Sequence, residues 1–232
     1  MDRAIPELRR LWRQGRHELG RRMRRPMQGR FQPYPYTLPD RYPWLFGFAQ
    51  AALRGVPGPR LLSFGCADGE EVFSLRRYFP DADLRGIEID PRNIAICLGR
   101  LSRHPDARIG FEAAADTRTE PPEHYDAIFC LAVLCHGDLT VDGAQRSDPL
   151  MRFEDFDRTV DDFMRCLKPG GYLFLHTTNF RLCDTLVGQR FETVLEAEPA
   201  QLAADALFDR WNRLMPGERY HPVGFRKRSP PP

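Results

Sequence analysis

The chain predicts an α/β fold, a mostly parallel sheet with helices on both faces, and three observations carry that expectation. From about residue 59 onward, short apolar runs alternate with stretches of helical periodicity. Most of the runs are apolar along their length rather than every second residue, as strands covered on both faces require. A glycine turn joins the first run to a helical stretch, the strand–turn–helix unit from which such sheets are built.

The expected strands are 60–64, 84–89, 108–114, 125–134 and 172–177, none with an internal proline. Between them Val72, Leu75 and Phe79 share one helix face, and Ile94, Leu98 and Leu101 another. Phe153, Phe156, Val160, Phe163 and Leu167 make the strongest helical stripe of the chain. Asp90 before Pro91 reads as an N-cap followed by a first-turn proline. The stretch 138–152 is long and polar, the pattern of a mobile surface loop, in which Asp138 and Asp142 are simple loop acids. After Phe180 a short helical piece, a strand over 191–196, a helix over 201–212 and a last strand over 223–226 complete the pattern.

The ends of the chain differ from its middle. Residues 1–30 hold ten arginines against three acids, Asp2, Glu7 and Glu18, although the whole chain carries only +2. Ile5, Leu8, Trp12, Leu19 and Met23 fall near helical spacing, so a basic amphipathic helix is expected, its apolar stripe on the domain and its arginines in water. Contact with RNA or an anionic membrane is the alternative use of such a helix. Residues 31–48 are too rich in proline for regular structure and too aromatic for a solvated linker. They read as a cover or as a lid over a small-molecule pocket, with Tyr34, Tyr36, Tyr42 and Trp44 as candidate substrate-binding residues. The expected domain proper is 49–228, followed by a proline-rich tail at 229–232.

No run approaches the roughly 20 apolar residues of a membrane span, and the N-terminus lacks the apolar core of a secretory signal. A cytoplasmic protein is expected. Cys66, Cys97, Cys130, Cys135, Cys166 and Cys183 include no C-x-x-C pair, so neither a disulfide framework nor a thiolate metal site is signalled, and no metal is expected.

The informative turn is Phe64-Gly65-Cys66-Ala67-Asp68-Gly69. Glycine lets the backbone approach a ligand closely, and open sheets bind ligands beyond the carboxyl ends of their strands. About 20 residues later, Glu88 in Gly86-Ile87-Glu88-Ile89-Asp90 stands where an acid accepts hydrogen bonds from a ribose diol. Together they indicate an adenosine-type cofactor. A pyrophosphate-cradling G-x-G-x-x-G is absent because Ala67 takes the middle glycine's place, so a cofactor without phosphates fits better and a nicotinamide dehydrogenase fits worse.

On these residues the chain resembles the class I S-adenosylmethionine-dependent methyltransferases, over roughly Pro59 to Arg228. The Gly65–Gly69 turn looks like that family's first motif, which implies cofactor contacts from Gly65, Cys66, Ala67, Asp68 and Gly69. Glu88 and Ile89 match its ribose-binding position, Asp116-Thr117 the adenine edge after the third strand, and Leu131 the end of the fourth. Tyr125-Asp126-Ala127-Ile128-Phe129-Cys130 resembles its fourth strand, and Leu167-Lys168-Pro169-Gly170-Gly171 the turn before its fifth. The resemblance implies a Rossmann-like, seven-stranded, mostly parallel sheet whose final strand is antiparallel, with S-adenosyl-L-methionine as cofactor. The family usually has an acid two residues before the first glycine, to hold the methionine ammonium group. Here that residue is Ser63, so either weaker cofactor binding or the use of Asp68 is expected.

Methyl transfer from a sulfonium is an in-line displacement, so alignment, water exclusion and a base for a hydroxyl acceptor are what the protein must supply. His136, just past the fourth strand, is the candidate base and also a candidate substrate contact, whereas His176 reads as a core histidine. An N-P-P-Y-like motif for base amines, a Pro-Cys nucleophile and a clustered-acid metal site are all missing. The expected reaction is methylation of an oxygen, less readily a nitrogen, of a small molecule. Alternatives are RNA or protein methylation using the arginine-rich end, and a cofactor-binding regulator without turnover. A homodimer is compatible with the sequence, and a nucleic-acid partner is not expected.

Overall fold

The protein is described by a computed structural model that covers residues 31–33, 37–203 and 205–229. The helix expected over 1–30, Tyr34, Tyr36 and residues 230–232 lie outside the described residues. The described elements are α1 (Pro43–Ala52), β1 (Arg60–Phe64), α2 (Glu70–Tyr78), β2 (Asp83–Glu88), α3 (Pro91–Arg103), β3 (Ile109–Ala113), β4 (Tyr125–Leu131), α4 (Gly137–Val141), α5 (Phe153–Cys166), β5 (Leu167–His176), β6 (Phe191–Glu196) and β7 (Pro222–Lys227). Two single 3-10 turns, Leu182–Asp184 and Gly188–Arg190, precede β6.

The seven strands form one sheet in the order β3-β2-β1-β4-β5-β7-β6. All pairs from β3 to β5 are parallel, and β7 runs antiparallel to both β5 and β6. The order reverses between β1 and β4, so the ends of these two strands open a crevice at the switch point.

Each face of the sheet buries its own core. On one side Leu61, Ala127, Phe129 and Phe174 meet α1 and α2, with Phe46 edge-on to Phe129 and Phe129 stacked on Phe174 at 4.9 Å. On the other, Phe156, Val160 and Phe163 of α5 are fully buried against Leu62, Ile128 and Leu173. Each such side chain contributes about 2 kcal/mol by leaving water. At the far end of the strands Asp126 ties three of them together: it accepts from Arg60 N at 2.8 Å and from Lys168 Nζ at 2.7 and 2.8 Å. Asp126 and Lys168 therefore act in this structure as a clamp remote from the crevice.

Several expectations need correction. Residues 43–48 are helical, because Pro43 stands at the start of α1, where a missing N–H costs nothing. Residues 201–212 form no helix in the described residues. Phe208 N donates to Asn179 O, and the chain doubles back through a turn at 209–212, closed by Asp209 N to Arg213 O, Asn212 N to Asp209 O and Met215 N to Leu207 O. The stretch 138–152 is not a free loop: α4 starts it, Asp138 and Leu139 are buried, and Ser147 and Met151 are buried too. On α3 it is Ile94 and Cys97 that face inward, while Leu98 is 49% exposed. Strand β4 stops at Leu131 because Ala132 turns left-handed (φ +60), and β5 starts at Leu167, earlier than expected.

Candidate functional site

A cavity opens at the carboxyl ends of β1, β2 and β4. Its floor is Phe64, Gly65, Cys66 and Ala67, its side is Ile87, Glu88 and Ile89, and its far wall is Leu131, Ala132 and Val133. Ala114 and Ala115 line it after β3, and Glu71 and Ser74 look in from α2. The segment before α1 roofs it with Phe31, Gln32, Thr37, Leu38, Arg41 and Tyr42. That roof is fastened: Asp40 N donates to Ser74 Oγ at 2.9 Å, Tyr78 Oη to Asp40 Oδ1 at 2.9 Å, and Gln32 Nε2 to Cys135 Sγ at 3.3 Å. Beneath it the free space is only about 80 Å³. A nucleoside-sized ligand needs several times more.

The glycine turn is built by backbone geometry. Gly65 (φ +74) and Gly69 (φ +87) are left-handed, and Ala67 (φ +50) adopts the same region without being glycine. Gly65 N and Cys66 N both donate to Ile87 O, at 2.8 and 3.0 Å, pinning the turn to β2. Glu88 completes the join, since its Oε2 accepts from Ala67 N at 3.0 Å and its Oε1 from Asp90 N at 2.9 Å. A carboxylate has about four acceptor positions, so both oxygens still have capacity for a ligand's hydroxyls. Replacing Glu88 by alanine should weaken nucleoside binding by about 1–3 kcal/mol and also loosen the Ala67 turn; titration calorimetry with S-adenosylhomocysteine checks the first effect and a thermal melt the second.

Of the candidate cofactor residues, Gly65, Cys66, Ala67, Glu88, Ile89 and Leu131 come together around this cavity. Asp68 does not: its side chain is 43% exposed and sits 3.8 Å from Arg100, while its Oδ1 accepts from Glu70 N. Gly69 caps α2 from outside the cavity wall. Asp116 pairs with Arg118, and Thr117 is buried with its carbonyl accepting from Arg165 Nη2, so the cavity meets Ala114 and Ala115 where these two were expected.

Sequence reasoning missed Glu71. It lies one residue into α2, partly buried, and its Oε1 accepts from Ser63 Oγ at 2.8 Å. Burial pushes its carboxyl up to about 7, with the Ser63 hydrogen bond and the Arg41 charge acting the other way. The signal was present as the second glutamate of Gly69-Glu70-Glu71, but only the fold shows that this one points at Ser63.

Near the end of β5, Tyr42 packs its ring against His176 at 4.8 Å and Trp44 lies 5.9 Å from the same imidazole. His176 is held by Gln201 O at Nε2 and by Thr177 Oγ1 at Nδ1, and burial lowers its pKa. A second cavity of about 450 Å³ lies beyond the end of β5, lined by His176, Thr177, Thr178, Asp205, Arg219 and Tyr220 among others. Burial raises the Asp205 carboxyl, and its Oδ2 is buried without a hydrogen-bond partner among the described residues. His136 lines neither cavity. It stands at the N-terminus of α4 with its main-chain N–H donated to Asn179 Oδ1 at 2.6 Å. Among the described residues no group of three or more His, Cys, Asp or Glu could hold a metal, and no helix is long and apolar enough to cross a membrane.

The protein is similar to several known chains. A curated relative, an uncharacterized protein of Synechococcus sp., is 28% identical over 146 residues, which is 62% of this chain and 31% of that protein. This chain therefore spans less than a third of that relative. Among solved structures, a Haemonchus contortus phosphoethanolamine N-methyltransferase in complex with phosphomonomethylethanolamine and S-adenosylhomocysteine superposes with a TM-score of 0.47 at 18% identity, over 61% of this chain and 29% of that one. StiE O-MT gives 0.47 at 18% identity over 65% and 53%. A family model described as a methyltransferase domain matches residues 7–222, nearly the whole chain, and the chain belongs to that methyltransferase family, in keeping with its sheet order and glycine turn.

Proposed function

We propose that the protein transfers the methyl group of S-adenosylmethionine to an oxygen, less readily a nitrogen, of a small molecule. The observation that carries this reading is the cavity at the switch point, where a left-handed glycine turn, the Glu88 carboxylate and the small residues Ala114 and Ala115 line one wall. Glu88 would hold the ribose diol, Ile89 and Leu131 the apolar sides of the base, and the Gly65 turn the thioether chain. The cofactor supplies a methyl on sulfonium sulfur. The chain's own work is to orient the acceptor, to exclude water with the aromatic segment around Tyr42 and Trp44, and to accept a proton from a hydroxyl.

Calorimetric titration with S-adenosylmethionine and S-adenosylhomocysteine, with NADH as control, tests the reading. Binding of the first two alone supports it, and binding of NADH alone would overturn it. The second cavity, with its buried Asp205 oxygen, is the proposed acceptor site. We keep His136 as the proposed base: His136→Ala should lower kcat about a hundredfold and leave S-adenosylhomocysteine affinity unchanged. An unaltered kcat would pass the role to Asp205.

A further inference from the structure

We propose that Glu71 is the carboxylate that receives the α-ammonium group of the cofactor's amino-acid end, in place of the acid that Ser63 is not. The inference rests on the cofactor reading above and assigns one contact within it. A cation held near the start of the glycine turn needs a carboxylate there, and β1 ends in Ser63-Phe64 with no charge to give. The structure supplies one from α2. Glu71 lines the cavity beside Gly65 and Cys66, and Ser63 Oγ donates to its Oε1, so the serine orients the glutamate instead of binding the ligand itself. Asp68, the other acid of the turn, faces Arg100 outside the cavity. Glu88 lies at the end of β2, hydrogen-bonded to Ala67 N and Asp90 N and already assigned to the ribose in the reading above. Arg41 lines the same cavity from the roof, so the site offers both signs of charge, as a zwitterionic amino-acid end requires.

The charge state of Glu71 gives this contact a readable signature. The groups facing it are Ser63 from β1, Cys66 from the turn, Cys130 from β4, and Arg41 and Tyr42 from the roof. The nearby Cys97 and Glu88 act on the Cys66 thiol, and burial holds the Cys130 thiol well above its ordinary value, so both thiols stay neutral. Tyr42 is pushed up to about 12 by burial and is neutral as well. Arg41 is therefore the charge beside Glu71. In the empty site Glu71 takes up a proton below about pH 7. An ammonium ligand selects the ionised form, so its affinity rises as pH rises through that value, by about tenfold between pH 6 and pH 8.

The experiment compares two ligands on the full chain by calorimetry, S-adenosylhomocysteine and 5′-methylthioadenosine, which has the same nucleoside thioether without the amino acid. The wild type should bind the first more tightly as pH rises from 6 to 8 and the second without pH dependence. Glu71→Gln should lower S-adenosylhomocysteine affinity about ten- to a hundredfold, flatten its pH profile and leave 5′-methylthioadenosine binding unchanged. Glu71→Asp, which keeps the charge on a shorter arm, should restore the pH dependence. If Glu71→Gln keeps its S-adenosylhomocysteine affinity, or loses both ligands equally while Glu71→Asp behaves like wild type toward neither, the assignment is wrong. A wild type that binds neither ligand overturns the cofactor reading itself, a result distinct from either.

Discussion

Gly65→Ala should destabilise the protein by about 2–4 kcal/mol and remove measurable nucleoside binding. Two separate costs add. At φ +74 an L-residue pays about 1 kcal/mol or more for its Cβ against the backbone. That Cβ would also lie 2.5 Å from Val133 Cγ2 and 2.8 Å from Cγ1, a distance no van der Waals contact allows, so the wall after β4 must move. Because Val133 and Gly65 both line the cavity, the movement reshapes the ligand site as well as the fold. The double variant Gly65→Ala with Val133→Ala separates the two costs. It removes the clash and keeps the backbone strain, so it should recover roughly half of the lost stability in a denaturant titration. No recovery would mean that the left-handed backbone alone requires glycine. Full recovery would mean that it requires none.

Much of this architecture could be read from residue order. The strands around Leu61, Ile87 and Ile128 are apolar along their length because both faces are covered, and α5 shows its stripe because only one face is. The place of Glu88 in the cavity wall was legible because it ends a strand at a fixed distance from the turn. Other parts depend on contacts between residues far apart in sequence. The doubled-back path of 205–215 follows from Phe208 N bonding to Asn179 O and from Asn212 turning left-handed (φ +64), neither visible in a helical-looking run of Leu202, Leu207 and Phe208. Asp116-Thr117 matched a motif position, yet Arg118 and Arg165 draw them away from the cavity and leave Ala114 and Ala115 in the wall. Glu71 was hidden for the same reason. A glutamate in the first turn of a helix is ordinarily there for the helix dipole, and only the proximity of Ser63 gives it another role.

The polar stretch 138–152 gives the second large expectation, because a residue 59 positions beyond α5's start holds it in place. Asn212 Oδ1 accepts from Ser147 Oγ at 3.1 Å and from Phe153 N at 2.7 Å, and Asn212 O accepts from Ser147 N at 3.1 Å. The Phe153 amide is the first of α5, and Arg152 before it offers no side-chain cap, so Asn212 acts as that helix's cap from a distance. Asn212→Ala strands two buried donors and places a Cβ-bearing residue with no polar side chain at a left-handed position. Together these should cost about 2–4 kcal/mol, read as a lower denaturation midpoint. Asn212→Asp keeps the acceptor and tolerates the same backbone, so it should stay within about 1 kcal/mol of the wild type. The loss should be felt locally too. Ser147 and Met151 are buried through this contact, and the stretch they anchor begins at α4, directly after His136. Hydrogen exchange in Asn212→Ala should therefore rise first across 138–152, while the amides of β1 and β4 stay protected. Uniform loss of protection would show that the tether belongs to the global fold and not to the stretch 138–152 alone.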